Sequence, residues 1–307
     1  MSHQGIVFRA TGSWYSVSDS LSAEVVECRL RGRIRLEGVR STNPVVVGDV
    51  VDYQRTADGE ATITGIHPRR NYIIRRASNL SRESHILAAN IDRAVIVVSL
   101  VDPATSYEFI DRMLVTCEAY NIPALLALNK VDLLEGRPEL REELLGVYAA
   151  AGYRVVGVSA TRGDNINALR ELLAGRTSLI SGNSGVGKSS LIRAIEPGAE
   201  LRTGEVSHAH HKGRHTTTFS QVHPLSGGGY LIDTPGIKGF GLIDFTPEEL
   251  CRYFPEMMRL SPGCRYYNCT HVHEPDCAVV RAVAQGEVPE RRYQSYLKML
   301  QGDEKYR

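Results

Sequence analysis

The sequence predicts a three-part chain: a small N-terminal β-barrel, a central α/β domain on a parallel sheet, and a small, mostly helical C-terminal region organised by cysteine and histidine. Three observations carry this. Residues 5–66 hold five short β-rich runs separated by Gly, Asp, Asn and Pro; from residue 91 apolar strands alternate with helix-length segments; and Cys264, Cys269 and Cys277 crowd around His271 after the last strand.

In the N-terminal part the strand-like runs are 5–10, 14–17, 24–36, 45–53 and 61–66, enough for a small five-stranded barrel of OB type. Arg29, Arg31, Arg33 and Arg35 recur at every second position, so a strand places them on one face, with Leu30 and Ile34 on the other. That face reads either as a solvated exterior or as a footprint for a phosphate backbone. The second reading is preferred, because OB-like barrels commonly bind RNA through such a surface and guanidinium suits phosphate. The expected domains are 1–76 for the barrel, 77–245 for the α/β part and 246–307 for the C-terminal part.

The central strands are expected at 94–100, 124–129, 155–159, 178–181 and 229–232, and their carboxyl ends carry the motifs, as open α/β sheets require. The run Gly182-Asn183-Ser184-Gly185-Val186-Gly187-Lys188-Ser189, followed by Ser190, sits between a strand and a helix. Its glycines let backbone N–H groups close round phosphates, Lys188 neutralises β- and γ-phosphate charge, and the Ser189 hydroxyl is placed for Mg²⁺. Such a loop accepts ATP as readily as GTP. Asn129-Lys130-Val131-Asp132, just after the second strand, resembles the guanine motif of GTPases. There Asp132 would accept from the N1 and N2 hydrogens of the base and Asn129 would meet its O6/N7 edge; adenine would leave the carboxylate unpaired. Ser159-Ala160 resembles the supporting guanine loop. Asp233-Thr234-Pro235-Gly236 resembles the switch whose Asp helps hold Mg²⁺ and whose Gly N–H senses the γ-phosphate.

Upstream of that switch lies Lys212-Gly213-Arg214-His215-Thr216-Thr217-Thr218. Thr217 is the expected Mg²⁺ ligand of the GTP state, with Thr216 its nearest rival, while the run also suits β-branched entry into a strand at 219–223. Ile237 stands where many GTPases place the Gln that orients water. Slow intrinsic hydrolysis is therefore expected, with another residue or a partner completing the site; His215 is the candidate, set against a solvated loop histidine. His208, His210 and His211 are read as switch residues in preference to a metal tract.

Cys264-x4-Cys269-x-His271-x5-Cys277 offers three thiolates and an imidazole, the donor set of a closed structural zinc site, with His273 a nearby competitor for His271. Zinc chelation is expected to loosen residues 246–307 while sparing nucleotide binding.

The guanine motif precedes the phosphate loop, the reverse of the usual order. With a barrel in front and a Cys/His region behind, the chain closely resembles the circularly permuted RsgA (YjeQ) family of bacterial small-subunit assembly GTPases. The resemblance implies an N-terminal OB-fold, a circularly permuted P-loop GTPase domain and a C-terminal zinc-binding domain. It also implies action late in maturation of the 30S subunit with 16S rRNA as partner, hydrolysis of GTP to GDP stimulated by that particle, and a monomer. It favours His271 over His273 as zinc ligand and supports His215 in catalysis. The permutation leads the second switch almost directly, through residues 239–245, into the zinc region, so ordering by the γ-phosphate is expected to reorient that region.

Composition fits this picture without demanding it. The 36 basic residues against 35 acidic ones leave almost no net charge, so RNA binding has to come from local patches. No apolar run reaches the roughly 20 residues of a membrane span, and no basic leader precedes an apolar stretch, so the expectation is cytoplasmic with no membrane partner.

Overall fold

A computed structural model describes residues 2–11, 14–22, 24–30, 44–55, 60–76, 84–199, 221–233 and 246–301. The strands in chain order begin with β1 (His3–Thr11), β2 (Trp14–Asp19), β3 (Val25–Leu30), β4 (Val50–Arg55), β5 (Ala61–Ile66), β6 (Tyr72–Arg76) and β7 (Ser84–Ala89). Then follow β8 (Arg93–Val98), α1 (Tyr107–Ala119), β9 (Ala124–Leu128), α2 (Pro138–Ala151), β10 (Arg154–Gly157), α3 (Ile166–Leu173), β11 (Arg176–Ser181), α4 (Lys188–Ile195), β12 (Gln221–Pro224) and β13 (Gly229–Asp233). The C-terminal part is helical: α5 (Pro247–Leu250), α6 (Pro255–Leu260), α7 (Ala278–Ala284) and α8 (Glu290–Leu300). These elements form two compact units, one of Met1–Arg93, Asn167–Ser181 and Lys188–Ile237, the other of Ala94–Ile166, Gly182–Gly187 and Lys238–Arg307.

In the first unit, β1 to β5 close into a barrel of order β1-β2-β3-β5-β4, with β3 and β5 parallel and the other pairs antiparallel. Alternation sets the faces: in β3, Val26 and Cys28 turn inward while Val25, Glu27 and Arg29 face out. The inward residues join Val7, Tyr15, Val17, Val51, Tyr53 and Ile63 in one core. Arg29 therefore lies on the outer face that the alternation predicts, whereas Arg31, Arg33 and Arg35 fall outside the described residues.

Two strands have no counterpart in the sequence reading. β6 and β7 form a separate antiparallel pair after the barrel, closing Val46, Ile86 and Ala89 into a small cluster. The same unit holds β11, which pairs in parallel with β13, and β12, which runs antiparallel to β13. In the second unit β8, β9 and β10 are parallel neighbours, with β9 in the middle. The residues of β8 and β9 are apolar almost throughout, as strands covered on both faces must be, while β10 is only half-buried.

Capping explains several helix ends. The Ser106 hydroxyl accepts from the Phe109 N–H at the start of α1, Thr246 and Glu249 form a capping box on α5, and Gly152 closes α2 in the left-handed region at φ 96°.

Candidate functional site: base loop, phosphate loop and metal cluster

The Asn129-Lys130-Val131-Asp132 motif of the second unit is built at the end of β9. Asn129 is almost fully buried and works as a junction: its Nδ2 donates to the Val186 carbonyl at 2.9 Å and its Oδ1 accepts from the Ala160 N–H at 3.1 Å. One side chain thereby fixes the spacing between this motif, the phosphate loop and the Ser159-Ala160 loop. Lys130 adopts φ 64° and its Nζ donates to the carbonyls of Asp102 and Gly185, the latter at 3.0 Å. Its alkyl stem thus lies along the loops and its ammonium clips two of them together.

Asp132 is the second residue of the short 3-10 turn Val131–Leu134. Its Oδ1 is buried and has no hydrogen-bond partner among the described residues. A carboxylate oxygen out of water and unpaired costs free energy, so its presence points to a donor supplied from outside the described residues. A base edge carrying adjacent N–H groups meets that need. The neighbouring Ser159 hydroxyl accepts from the Arg162 N–H at 3.1 Å, which shapes the turn that aims the Ala160 N–H at Asn129. Arg162 in turn is held charged by Glu135, Asp164 and Asp132.

The phosphate loop runs from β11 to α4. Gly182 has φ 155°, and a Cβ there would come within 2.3 Å of the Val97 carbonyl oxygen. At Gly187, φ is 91° and a Cβ would meet Asn129 Nδ2 at 2.4 Å. Both positions need glycine because backbone passes against backbone or against the junction side chain. Asn183, Ser184, Gly185 and Val186 complete the turn, with Val186 buried beneath it.

In the first unit, Lys188, Ser189 and Ser190 open α4, the serines exposed. Burial pushes the Lys188 ammonium below its ordinary value, and the nearby Asp233 carboxylate pulls it back. Asp233 ends β13, nine-tenths buried. Gly236, Thr216, Thr217, His215, Ile237, and His208, His210 and His211 lie outside the described residues.

The C-terminal cluster brings Cys264, Cys269, His271 and Cys277 together, all four ligand atoms within 4.8 Å of one another. Cys264 Sγ and Cys277 Sγ are 3.9 Å apart, and His271 Nδ1 lies 3.6 Å and 3.4 Å from them. A tetrahedral ion with metal–sulfur bonds of about 2.3 Å and metal–nitrogen bonds of about 2.0–2.1 Å demands edges of about 3.8 Å and about 3.5 Å. The four residues therefore fit a metal ion. His273, exposed, is not among them; its N–H donates to Glu274.

Surrounding groups hold the cluster in shape. Tyr293 and Tyr296 on α8 donate to the carbonyls of His271 and Thr270 at 2.8 and 2.7 Å, and Cys277 caps α7 by accepting from the Val280 N–H. Burial pushes the Cys269 thiol up to about 12, raises Cys277 and lowers His271. Packing alone thus disfavours thiolate, and a divalent cation would invert that preference.

Residues 66–243 match the family described as RsgA GTPase, and residues 4–63 match the RsgA N-terminal domain. A protein named small ribosomal subunit biogenesis GTPase RsgA from Porphyromonas gingivalis is 52% identical, covering 99% of this chain and 98% of its own length; one of the same name from Bacteroides fragilis is 50% identical, covering 99% of each. The chain belongs to the RsgA GTPase family. Among solved structures, YjeQ from Thermotoga maritima is similar at 35% identity with a TM-score of 0.80, over 98% of this chain and 99% of that one. YloQ, described as a circularly permuted GTPase, is similar at 30% identity with a TM-score of 0.78, over 100% of this chain and 96% of that one. This RsgA family member is thus a GTP-hydrolysing enzyme with a circularly permuted GTPase fold behind an OB-like barrel. Among the described residues, no helix is long and apolar enough to cross a membrane.

One constellation in this RsgA chain escaped sequence reasoning. Arg292 on α8 is fully buried, with Nη1 2.6 Å from Asp111 of α1 and Nε 2.7 Å from Glu256 of α6. Tyr148 of α2 donates to Asp111 at 3.0 Å, and Phe254 lies 4.5 Å beneath the guanidinium. Burial works against the Arg292 charge, but the two carboxylates outweigh it and hold the guanidinium ionised. The triad ties the C-terminal helices to α1, and the apolar cluster around it also includes Val115 of α1 with Leu250, Phe254, Met257, Val279 and Tyr296.

Proposed function

We propose that this GTPase acts in biogenesis of the small ribosomal subunit, binding the 30S particle through 16S rRNA late in its maturation, hydrolysing GTP with stimulation by that particle and leaving after hydrolysis. The observation that carries the nucleotide reading is the buried Asp132 oxygen, without a partner among the described residues, beside the Asn129 junction. The partner is supported by relatives that match nearly end to end and are named for small ribosomal subunit biogenesis.

In this reading Asn129, Lys130, Asp132, Ser159 and Ala160 select guanine. Residues 182–187 with Lys188, Ser189 and Ser190 hold the phosphates. Mg²⁺ is held by Ser189 and Thr217 with Asp233 beside it, and Gly236 senses the γ-phosphate. His215 serves catalysis in place of the absent Gln. Zinc occupies the Cys264, Cys269, His271 and Cys277 cluster as a structural ion, which fits its sulfur-rich donor set and its tetrahedral edges. The barrel at 1–76, the GTPase part at 77–245 and the zinc region at 246–307 serve RNA binding, hydrolysis and docking. The protein works as a monomer in the cytoplasm.

The test is steady-state GTP hydrolysis by the purified protein alone and with 30S subunits, 50S subunits or bulk RNA. Selective acceleration by 30S is expected. Equal rates throughout would overturn the partner assignment and leave a nucleotide-gated module for another target.

A further inference from the structure

The one tryptophan of the chain stands on the outside of the barrel. Trp14 starts β2 with 39% of its surface exposed, and the Arg29 guanidinium of β3 lies 4.1 Å over its ring. The pairing registers Thr11 with Trp14, Trp14 with Arg29, and Arg29 with Thr62, so these four side chains form one row across β1, β2, β3 and β5. The next row places exposed Arg9 opposite Ser16, and Ser16 opposite Glu27, to which Ser16 donates. Glu60 is the other acid near the stack, 3.9 Å from Arg29.

The exposed part of the Trp14 ring offers a flat apolar face on the barrel exterior. What covers it is indicated by charge. From Arg29 the chain continues through Arg31, Arg33, Arg35 and Arg40 against the single acid Glu37, in a protein whose net charge is otherwise close to zero. An indole with a guanidinium over it, at the head of an arginine-rich segment, matches a nucleobase stacked on the ring beside a phosphate backbone. A flexible single strand presents such a base; a duplex keeps its bases stacked on one another.

We propose that Trp14 and Arg29 form a stacking platform for an unpaired base of single-stranded RNA. This deepens the reading of the barrel as the rRNA-binding part and rests on it. Arg29 pre-orients the indole and adds positive charge, and Arg9 supplies a second cation along the same face.

The test uses the full-length protein with a non-hydrolysable GTP analogue and reads the fluorescence of Trp14, which no other tryptophan obscures. Single-stranded oligouridylate is expected to quench it, in a salt-sensitive way, and a hairpin duplex of equal charge to leave it unchanged. Trp14→Ala, read by filter binding, should weaken oligouridylate binding by about 5- to 150-fold, the span for loss of one base–aromatic stack, with Trp14→Phe retaining most of it. An unchanged thermal transition would show that the variant folds. Equal binding by Trp14→Ala and its parent, or quenching as strong with the duplex, would overturn the platform. Stimulation of GTP hydrolysis by 30S separates the two readings: if 30S stimulates both proteins equally and oligouridylate does not quench, the platform fails while the subunit reading stands. If oligouridylate quenches but 30S stimulates neither, the platform stands and the subunit reading fails. Quenching only by ribosomal proteins free of RNA would replace the platform with a protein interface.

Discussion

Replacing Asp132 by Asn hardly changes side-chain volume but turns one buried acceptor into a donor. Asp132 Oδ1 is buried with no partner among the described residues, so the exchange removes no hydrogen bond within them. Stability without nucleotide should therefore hold or rise slightly, since a desolvated carboxylate is gone. Bound guanine tells another story. A carboxylate accepts from both N1–H and N2–H, each a charge-assisted bond worth about 1.5–3 kcal/mol; Asn keeps one acceptor and sets its amide against the other donor. The expected cost is about 2–4 kcal/mol, or roughly 30- to 700-fold in affinity for GDP. Xanthine carries a carbonyl where guanine carries the N2 amine, so the variant's new donor suits it, and xanthosine diphosphate should gain what GDP loses. Competition of the two nucleotides against a fluorescent GDP analogue, for parent and variant, measures both numbers. GDP affinity in Asp132→Asn within about threefold of the parent, outside the span those bond energies allow, would refute the assignment of this oxygen to the base.

Arg292→Leu strands Asp111 and Glu256 in the core and should cost about 3–5 kcal/mol in urea unfolding. Burial raises the Asp111 carboxyl and Arg292 holds it back, so without Arg292 it rises further; the variant then relieves the stranded charge by binding a proton below that value and loses the relief as pH rises, and the Arg292→Leu deficit should be smaller at acid pH than at neutrality. Gly187→Ala drives a Cβ into Asn129 Nδ2 in a left-handed backbone, and should abolish measurable nucleotide binding by calorimetry while leaving the barrel's thermal transition in place. His215→Ala should leave nucleotide affinity intact and lower 30S-stimulated turnover at least about 100-fold, the size of a lost general-base or water-orienting contribution; a stimulated rate equal to the parent's would withdraw that role. Cys269→Ser should lower the metal content of the purified protein, measured with a chromogenic chelator, and destabilise α7 and α8, which the cluster pins through Cys277, Tyr293 and Tyr296.

Much of this was legible because it is local. The barrel strands announced themselves as short β-rich runs between Gly, Asp, Asn and Pro, and β5 coincides with residues 61–66 as read from the chain. The motifs sat at strand ends because β9, β11 and β13 terminate just before Asn129, just before Gly182 and at Asp233. The metal quartet was legible because its members fall within 14 residues, from Cys264 to Cys277. What spacing cannot reveal is a partner far along the chain. Asn129 meets Val186 across 57 residues, and Arg292 meets Asp111 across 181. Arg292 in particular reads as one more cation on an amphipathic helix, since Glu290, Arg291 and Lys298 around it are solvated charges of the same kind. The β6–β7 pair was missed for the opposite reason: Tyr72–Arg76 and Ser84–Ala89 carry neither a tight-turn dipeptide nor a motif to mark them.

The shared core bears on how the metal region relates to the nucleotide. Reading residues 246–307 as an independent folding unit led to the expectation that chelation loosens them alone. In the structure their apolar cluster takes in Val115 of α1, and the buried Arg292 joins α8 to Asp111 on the same helix. The segment that leads into α1 contains Asp102, whose carbonyl receives Lys130, and Pro103, which lies so near Gly185 that a Cβ added there would meet its Cδ at 3.0 Å. From metal cluster to α8, from α8 to α1, and from the start of α1 to the base and phosphate loops, every step is a packed or hydrogen-bonded contact inside one compact unit. Breaking a buried charge pair costs several times more than losing a surface contact, so disorder begun at the cluster cannot stop at α8 without leaving Asp111 stranded. The cheaper outcome is that α1 yields as well. On that ground metal loss should reach the nucleotide loops in proportion to how far α8 unfolds, with the Arg292 triad setting the threshold.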